Sequence, residues 1–159
     1  MFKKILVGLL VVMLPFITFS QISFKGTSNG SSQNVVKWKF NLLPTSETEY
    51  TFTATAEIEQ GYHIFAIDAG GDGTLIATEI TLEDANELDE NWKSVPNPKT
   101  IKLDFIDGDI FWHENKVTFS KKIELDEDAK HVSGQVTYQV CNEEKCLPPV
   151  DLPFTVNVK

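Results

Sequence analysis

The sequence predicts an all-β chain folded as an immunoglobulin-like antiparallel β-sandwich. Three observations carry this: apolar residues recur with period two in a series of short runs, polar turn-rich stretches separate those runs, and no window of about 11 residues or more sustains a helical period. Alternation places every second side chain on one face, so each run has one face to bury and one to leave wet. Two sheets that share their apolar faces satisfy that need.

The first run sets Val36, Trp38, Phe40 and Leu42 against Lys37, Lys39 and Asn41. In the second, Phe52, Ala54, Ala56 and Ile58 alternate with Thr51, Thr53, Thr55, Glu57 and Glu59. His63 reads as a strand residue beside Tyr62. Ile101, Leu103 and Phe105 then share a face opposite Lys102 and Asp104. Val117, Phe119, Ile123 and Leu125 continue the pattern, but Lys121 interrupts the inward face and predicts an edge strand or a bulge there. Val136, Tyr138 and Val140, then Phe154, Val156 and Val158, complete the series. Turns are expected over 43–47, 69–74, 84–99 and 126–130, with room for a helical turn or two within 82–92. One domain over 34–159 accounts for all of these runs. A domain of this size buries roughly two-thirds of its unfolded surface and needs no covalent staple in order to fold.

Residues 1–20 are of another kind. Lys3 and Lys4 precede an apolar run from Ile5 to Phe19, broken by Pro15, and the small Ser20 follows, which is the order of a cleaved secretory signal peptide. The run is short for a membrane span. Residues 21–33 read as a flexible lead-in. The expected location is therefore beyond the inner membrane, which the family resemblance described below narrows to the periplasm, with no membrane span after signal cleavage. All 14 basic residues are lysine, against 23 Asp and Glu, for a net charge of -9. Such a surface repels phosphate, so nucleic acid is not expected as a partner.

Little in the chain points to a metal, a cofactor or a hydrolytic centre. His63, His113 and His131 lie far apart without HExxH spacing, no GxSxG elbow is present, and the GGDG at 70–73 lacks the lysine of a phosphate loop. Cys141 and Cys146 are more informative. Export makes a disulfide their expected state. The polar stretch Asn142–Lys145 between them fits a hairpin connection, which brings flanking Cα atoms within the roughly 4.4–6.8 Å that a bridge requires. By alternation Cys141 lies on the face of Thr137 and Gln139, so it is expected to point away from the core unless a bulge intervenes. Closing so short a loop stabilises by only about 2 kcal/mol. Short, accessible bridges are the ones that exchange with incoming thiolates. The residues alone leave two readings open: redox exchange, or a passive clip in a non-enzymatic immunoglobulin-like binding module.

The stretch Thr137-Tyr138-Gln139-Val140-Cys141, followed by Cys146-Leu147-Pro148-Pro149, resembles the active-site hairpin of the N-terminal periplasmic domain of the thiol:disulfide interchange protein DsbD. Gly61-Tyr62-His63-Ile64-Phe65, the segment from Gly73-Thr74 to Thr81, and Lys116-Val117-Thr118-Phe119 are similar to further strands of that family, so the resemblance covers most of 34–158. It implies an immunoglobulin-like sandwich acting without a cofactor as a thiol-disulfide oxidoreductase, relaying electrons from a thioredoxin-like reductase to exported disulfide proteins. Cys141 and Cys146 would be the redox pair, with Cys146 forming the mixed disulfide and Cys141 resolving it. The family also carries an aromatic cap over its disulfide. Asp109-Ile110-Phe111-Trp112 resembles that loop, making Phe111 the lid with Asp109 nearby, although Phe111 and Trp112 also read as core aromatics. Tyr138 is expected to pack beneath the hairpin. The spacing between the cysteines is one residue shorter than in the best-known members. Those proteins continue into a membrane electron-transfer domain and a thioredoxin-like domain, so the expected partners are thioredoxin-fold proteins and a membrane electron donor acting in trans.

Overall fold

A computed structural model describes residues 35–158. The expected signal peptide (1–20) and lead-in (21–33) lie outside the described residues. The described residues form β1 (Val36–Pro44), β2 (Glu49–Ile58), β3 (His63–Gly70), β4 (Glu79–Glu83), β5 (Asn86–Glu87), β6 (Lys93–Val95), β7 (Lys99–Leu103), β8 (Ile106–Glu114), β9 (Lys116–Glu124), β10 (His131–Tyr138), β11 (Val140–Cys141) and β12 (Val150–Asn157), the longer alternating runs lying in β1, β2, β9, β10 and β12. Among the described residues no helix is long and apolar enough to cross a membrane.

The strands form three antiparallel sheets. One runs β1-β2-β9-β5, with β6 also on β9; a second runs β12-β10-β4; the third runs β11-β3-β8-β7. The fold is all-β and sandwich-like. Its main core draws Phe52, Ala54, Ala56, Val117, Phe119 and Ile123 from the first sheet, Val132, Val136, Tyr138 and Phe154 from the second, and Ile64 and Val140 from the third. The chain moves from the second sheet to the third at Gln139, between β10 and β11. That passage places Val140 and Cys141 on the third sheet, beside β3.

Two expectations change. Lys121 lies in a strand paired on both sides, with no register shift against β2, so it marks neither an edge nor a bulge. It is buried, ion-paired to Glu87 of β5, with its ammonium 5.4 Å from the Trp92 ring centroid. An inward lysine is tolerated because charge and ring replace water. The stretch 82–92 holds the end of β4 and the short β5 instead of a helical turn.

His113 of β8 faces the core, 3% exposed, edge-on to Phe119, and burial pushes its pKa from 6.5 down to about 4. Between those values the unfolded chain holds a proton that the folded chain refuses, so stability falls as pH drops through this window. The loss from His113 is about 3 kcal/mol in total. His63, whose pKa is also lowered, adds to the same slope. Denaturant titrations across this pH range should therefore show a flatter slope for His113→Gln than for wild type, and equal slopes would refute the assignment.

Candidate functional site

Cys141 and Cys146 form a disulfide with Cα atoms 3.9 Å apart. This is closer than the usual span because the two residues face each other across an isolated antiparallel bridge. Hydrogen bonds flank them on both sides: Leu147 N–H donates to Val140 O (2.7 Å), and Asn142 N–H donates to Lys145 O (2.9 Å). The cysteines thus occupy a non-hydrogen-bonded position, where opposed side chains approach most closely. Asn142 Oδ1 accepts from Glu144 N–H (3.0 Å) and Lys145 N–H (2.8 Å), which locks the turn between them.

The two sulfur-bearing residues differ in environment. Cys146 is exposed, whereas Cys141 is 2% exposed. Cys141 does point away from the main core, but onto a second apolar cluster with Phe65, Ala69 and Ile110. Alternation predicts the direction but not this cover. The cover comes from Leu75 and Ala77, in the segment between β3 and β4, and from the β7–β8 hairpin.

Strand parity explains which aromatic residues reach the bridge. On the outer face of the third sheet Cys141 is opposite His63, His63 is opposite Glu114, and Phe65 is opposite Trp112. Residues 112 and 114 therefore share the cysteine face, while 111 and 113 face the other way. Trp112 stacks on His63 with centroids 3.9 Å apart, and its Nε1 donates to Glu114 Oε1 (3.1 Å). Lys99 Nζ donates to Glu114 Oε2 (2.6 Å). Lys99 and Trp112 together hold the Glu114 carboxyl below its ordinary range. Burial lowers the His63 pKa, with Glu114 opposing the shift.

A cleft of about 790 Å³ opens over this face and includes both cysteines, His63, Trp112 and Glu114. Phe111, the expected lid, is not brought to it. Phe111 lines a separate hollow with Trp92 and Phe119, and its ring lies against Gly70, where an added Cβ would meet it at 2.9 Å. Asp109 pairs with Lys102 at 3.3 Å, outside the cleft. Tyr138 is fully buried in the main core, its ring 5.5 Å from Trp38. Burial raises its pKa.

Sequence reasoning missed Phe105. It sits in the two-residue turn between β7 and β8, is 80% exposed, and lines the cysteine cleft. Its signal was an aromatic at a turn after Asp104, disguised by the alternation of Ile101 and Leu103 that it extends. Among the described residues no three His, Cys, Asp or Glu side chains gather as a metal site.

Residues 32–157 match the family model described as "Thiol:disulfide interchange protein DsbD, N-terminal". The N-terminal periplasmic domain of ScsB from Proteus mirabilis is similar in structure, with a TM-score of 0.57 at 15% identity, over 79% of this chain and 46% of that one. This chain thus spans about half the length of that relative, and the likeness extends to the fold alone. The N-terminal domain of DsbD from Neisseria meningitidis, in its reduced form, aligns with a TM-score of 0.48 at 14% identity, over 82% of this chain and 90% of that one. No curated protein sequence matches.

Proposed function

The chain belongs to the DsbD N-terminal domain family, and we propose that it is a thiol-disulfide exchange domain relaying electrons through Cys141 and Cys146. In this reading the donor is a thioredoxin-like reductase fed by a membrane electron carrier, and the acceptors are exported disulfide proteins of thioredoxin fold. Residues 1–20 direct export to the periplasm and are removed, 21–33 lead in, and 34–159 form the working domain.

The observation that carries the proposal is the asymmetry of the bridge: one half is open to solvent and the other is held in an apolar bed. Exchange requires in-line approach of a thiolate to one sulfur and departure of the other. Cys146 is the half a visiting protein can approach. It becomes the sulfur of the mixed disulfide, and Cys141 becomes the leaving group and later the resolving thiol. Phe105 takes the capping role over the cleft in place of Phe111; its exposure and its position on the hairpin tip support this. Trp112 forms the floor beneath it. An aromatic cover limits entry of unintended thiols while a matching partner displaces it.

The test is the equilibrium of the pair against a glutathione redox buffer. An exchanging bridge is expected above about −300 mV, whereas structural disulfides of exported proteins typically lie below it. A value below that would return the bridge to a passive clip and leave an immunoglobulin-like binding module.

A further inference from the structure

We propose that His63 is the proton acceptor for the Cys141 thiol when that thiol resolves the mixed disulfide, an assignment that rests on the exchange reading above. His63 stands directly opposite Cys141 in the β3–β11 ladder. Opposed residues on one face of an antiparallel pair hold their Cβ atoms about 4.5–5.5 Å apart, within reach of an imidazole. Both residues line the same cleft. Trp112 stacks on the His63 ring and Phe65 meets it edge-on at 5.7 Å, so two aromatic neighbours fix the ring on the cysteine face of the sheet.

The surrounding groups leave His63 as the base. Glu114, across the ladder on β8, has both oxygens engaged, by Lys99 from β7 and by Trp112, and this pairing makes its carboxylate a poor acceptor. Glu143, Glu144 and Lys145 belong to the exposed turn beyond the bridge. His113, on the neighbouring strand, faces the opposite side of the sheet. Burial keeps the His63 imidazole neutral near neutral pH, which is the form that accepts a proton. A thiol in apolar surroundings gives up its proton reluctantly, so an adjacent acceptor has work to do.

In the mixed disulfide, Cys146 Sγ is bonded to the partner sulfur and Cys141 is a thiol. The Cys141 proton passes to an imidazole nitrogen of His63. The thiolate attacks Cys146 Sγ, the Cys146–partner bond breaks, and the Cys141–Cys146 bond forms. The partner leaves as a thiolate with the electron pair of the broken bond, and the imidazolium returns the proton to it or to water. The domain is oxidised and the partner reduced.

Dithiobisnitrobenzoate tests this directly on the reduced domain. Attack releases one thionitrobenzoate, and intramolecular resolution releases the second, so stopped-flow absorbance reads the two steps separately. Across about pH 5 to pH 9 the second release in wild type should rise through a midpoint below the ordinary thiol value of about 8.5. His63→Gln and His63→Phe should each slow it by at least about tenfold at pH 7 and move the midpoint upward. A profile unchanged in both variants overturns the assignment. Should either variant fold poorly, NMR titration of His63 in wild type decides: its midpoint must differ between the disulfide and dithiol forms, and identical midpoints overturn the proposal. A wild-type domain that retains one thionitrobenzoate without releasing the second sinks the exchange reading itself; normal wild-type release with unaffected variants sinks only the role of His63.

Discussion

A Cys141→Ser variant is expected to accumulate covalent adducts through Cys146, whereas Cys146→Ser should react about a hundredfold more slowly through Cys141. Both variants lose the same bridge, so both lose a similar stability of about 2 kcal/mol, and folding does not distinguish them. Access does. Cys146 lies on the exposed side of the hairpin, while Cys141 is packed against Phe65, Ala69 and Ile110. A thiolate attacks along the axis of the sulfur bond it breaks, and protein bulk on the Cys141 side obstructs that line. The probe is a thioredoxin-fold protein carrying only its attacking cysteine, supplied as an activated mixed disulfide. Mass spectrometry of the conjugates gives initial rates for the two variants. Equal rates would show that burial of Cys141 does not set the order of attack. If neither cysteine is captured, the bridge is a clip and the exchange function is lost with it.

How far the sequence discloses this arrangement depends on whether a feature is local. β1, β2, β9, β10 and β12 are legible because each repeats its apolar period over several residues. β5 and β6 are too short to have a period and exist through pairing with β9. Lys121 looks like a fault in its strand because its partner Glu87 is 34 residues away. The cysteine pair and its bond are legible from spacing and from the resemblance of the hairpin. The burial of Cys141 is not, since it depends on the change of sheet at Gln139 and on cover from Leu75 and Ala77. That Phe111 lies outside the cysteine cleft is not legible for a related reason. Phe111 and Trp112 are adjacent, and choosing which faces the sulfurs requires the register between β3 and β8, which shifts between Phe65 and Gly70. His63 carries no motif; only the ladder sets it opposite Cys141.

Phe105→Ala is expected to speed reduction of the Cys141–Cys146 bridge by dithiothreitol about tenfold, a rate effect of roughly 1.4 kcal/mol in barrier height. The same substitution should change unfolding stability by no more than about 0.5 kcal/mol, because a side chain 80% exposed has little burial to lose. Phe111→Ala should behave in the opposite way. Its ring packs against Gly70 on the other face of the sheet, so truncation leaves a void and costs about 2 kcal/mol while the bridge is reduced at the wild-type rate. Timed alkylation followed by mass analysis gives the reduction rates, and urea unfolding gives the stabilities. Acceleration in Phe111→Ala with no change in Phe105→Ala would return the lid to Phe111. A turn residue has no packing reason to be aromatic: Asp104 and Phe105 link β7 to β8 at the surface, where a polar residue would serve the turn equally well. What the aromatic ring supplies at that point is an apolar surface on the rim of the cleft, small enough to move aside with its hairpin and large enough to obstruct a small thiol. A partner protein that buries Phe105 in its own interface recovers the exposed apolar area as binding energy. On the proposed capping role, moving Phe105 aside from the cleft and recognising the correct visitor become one event.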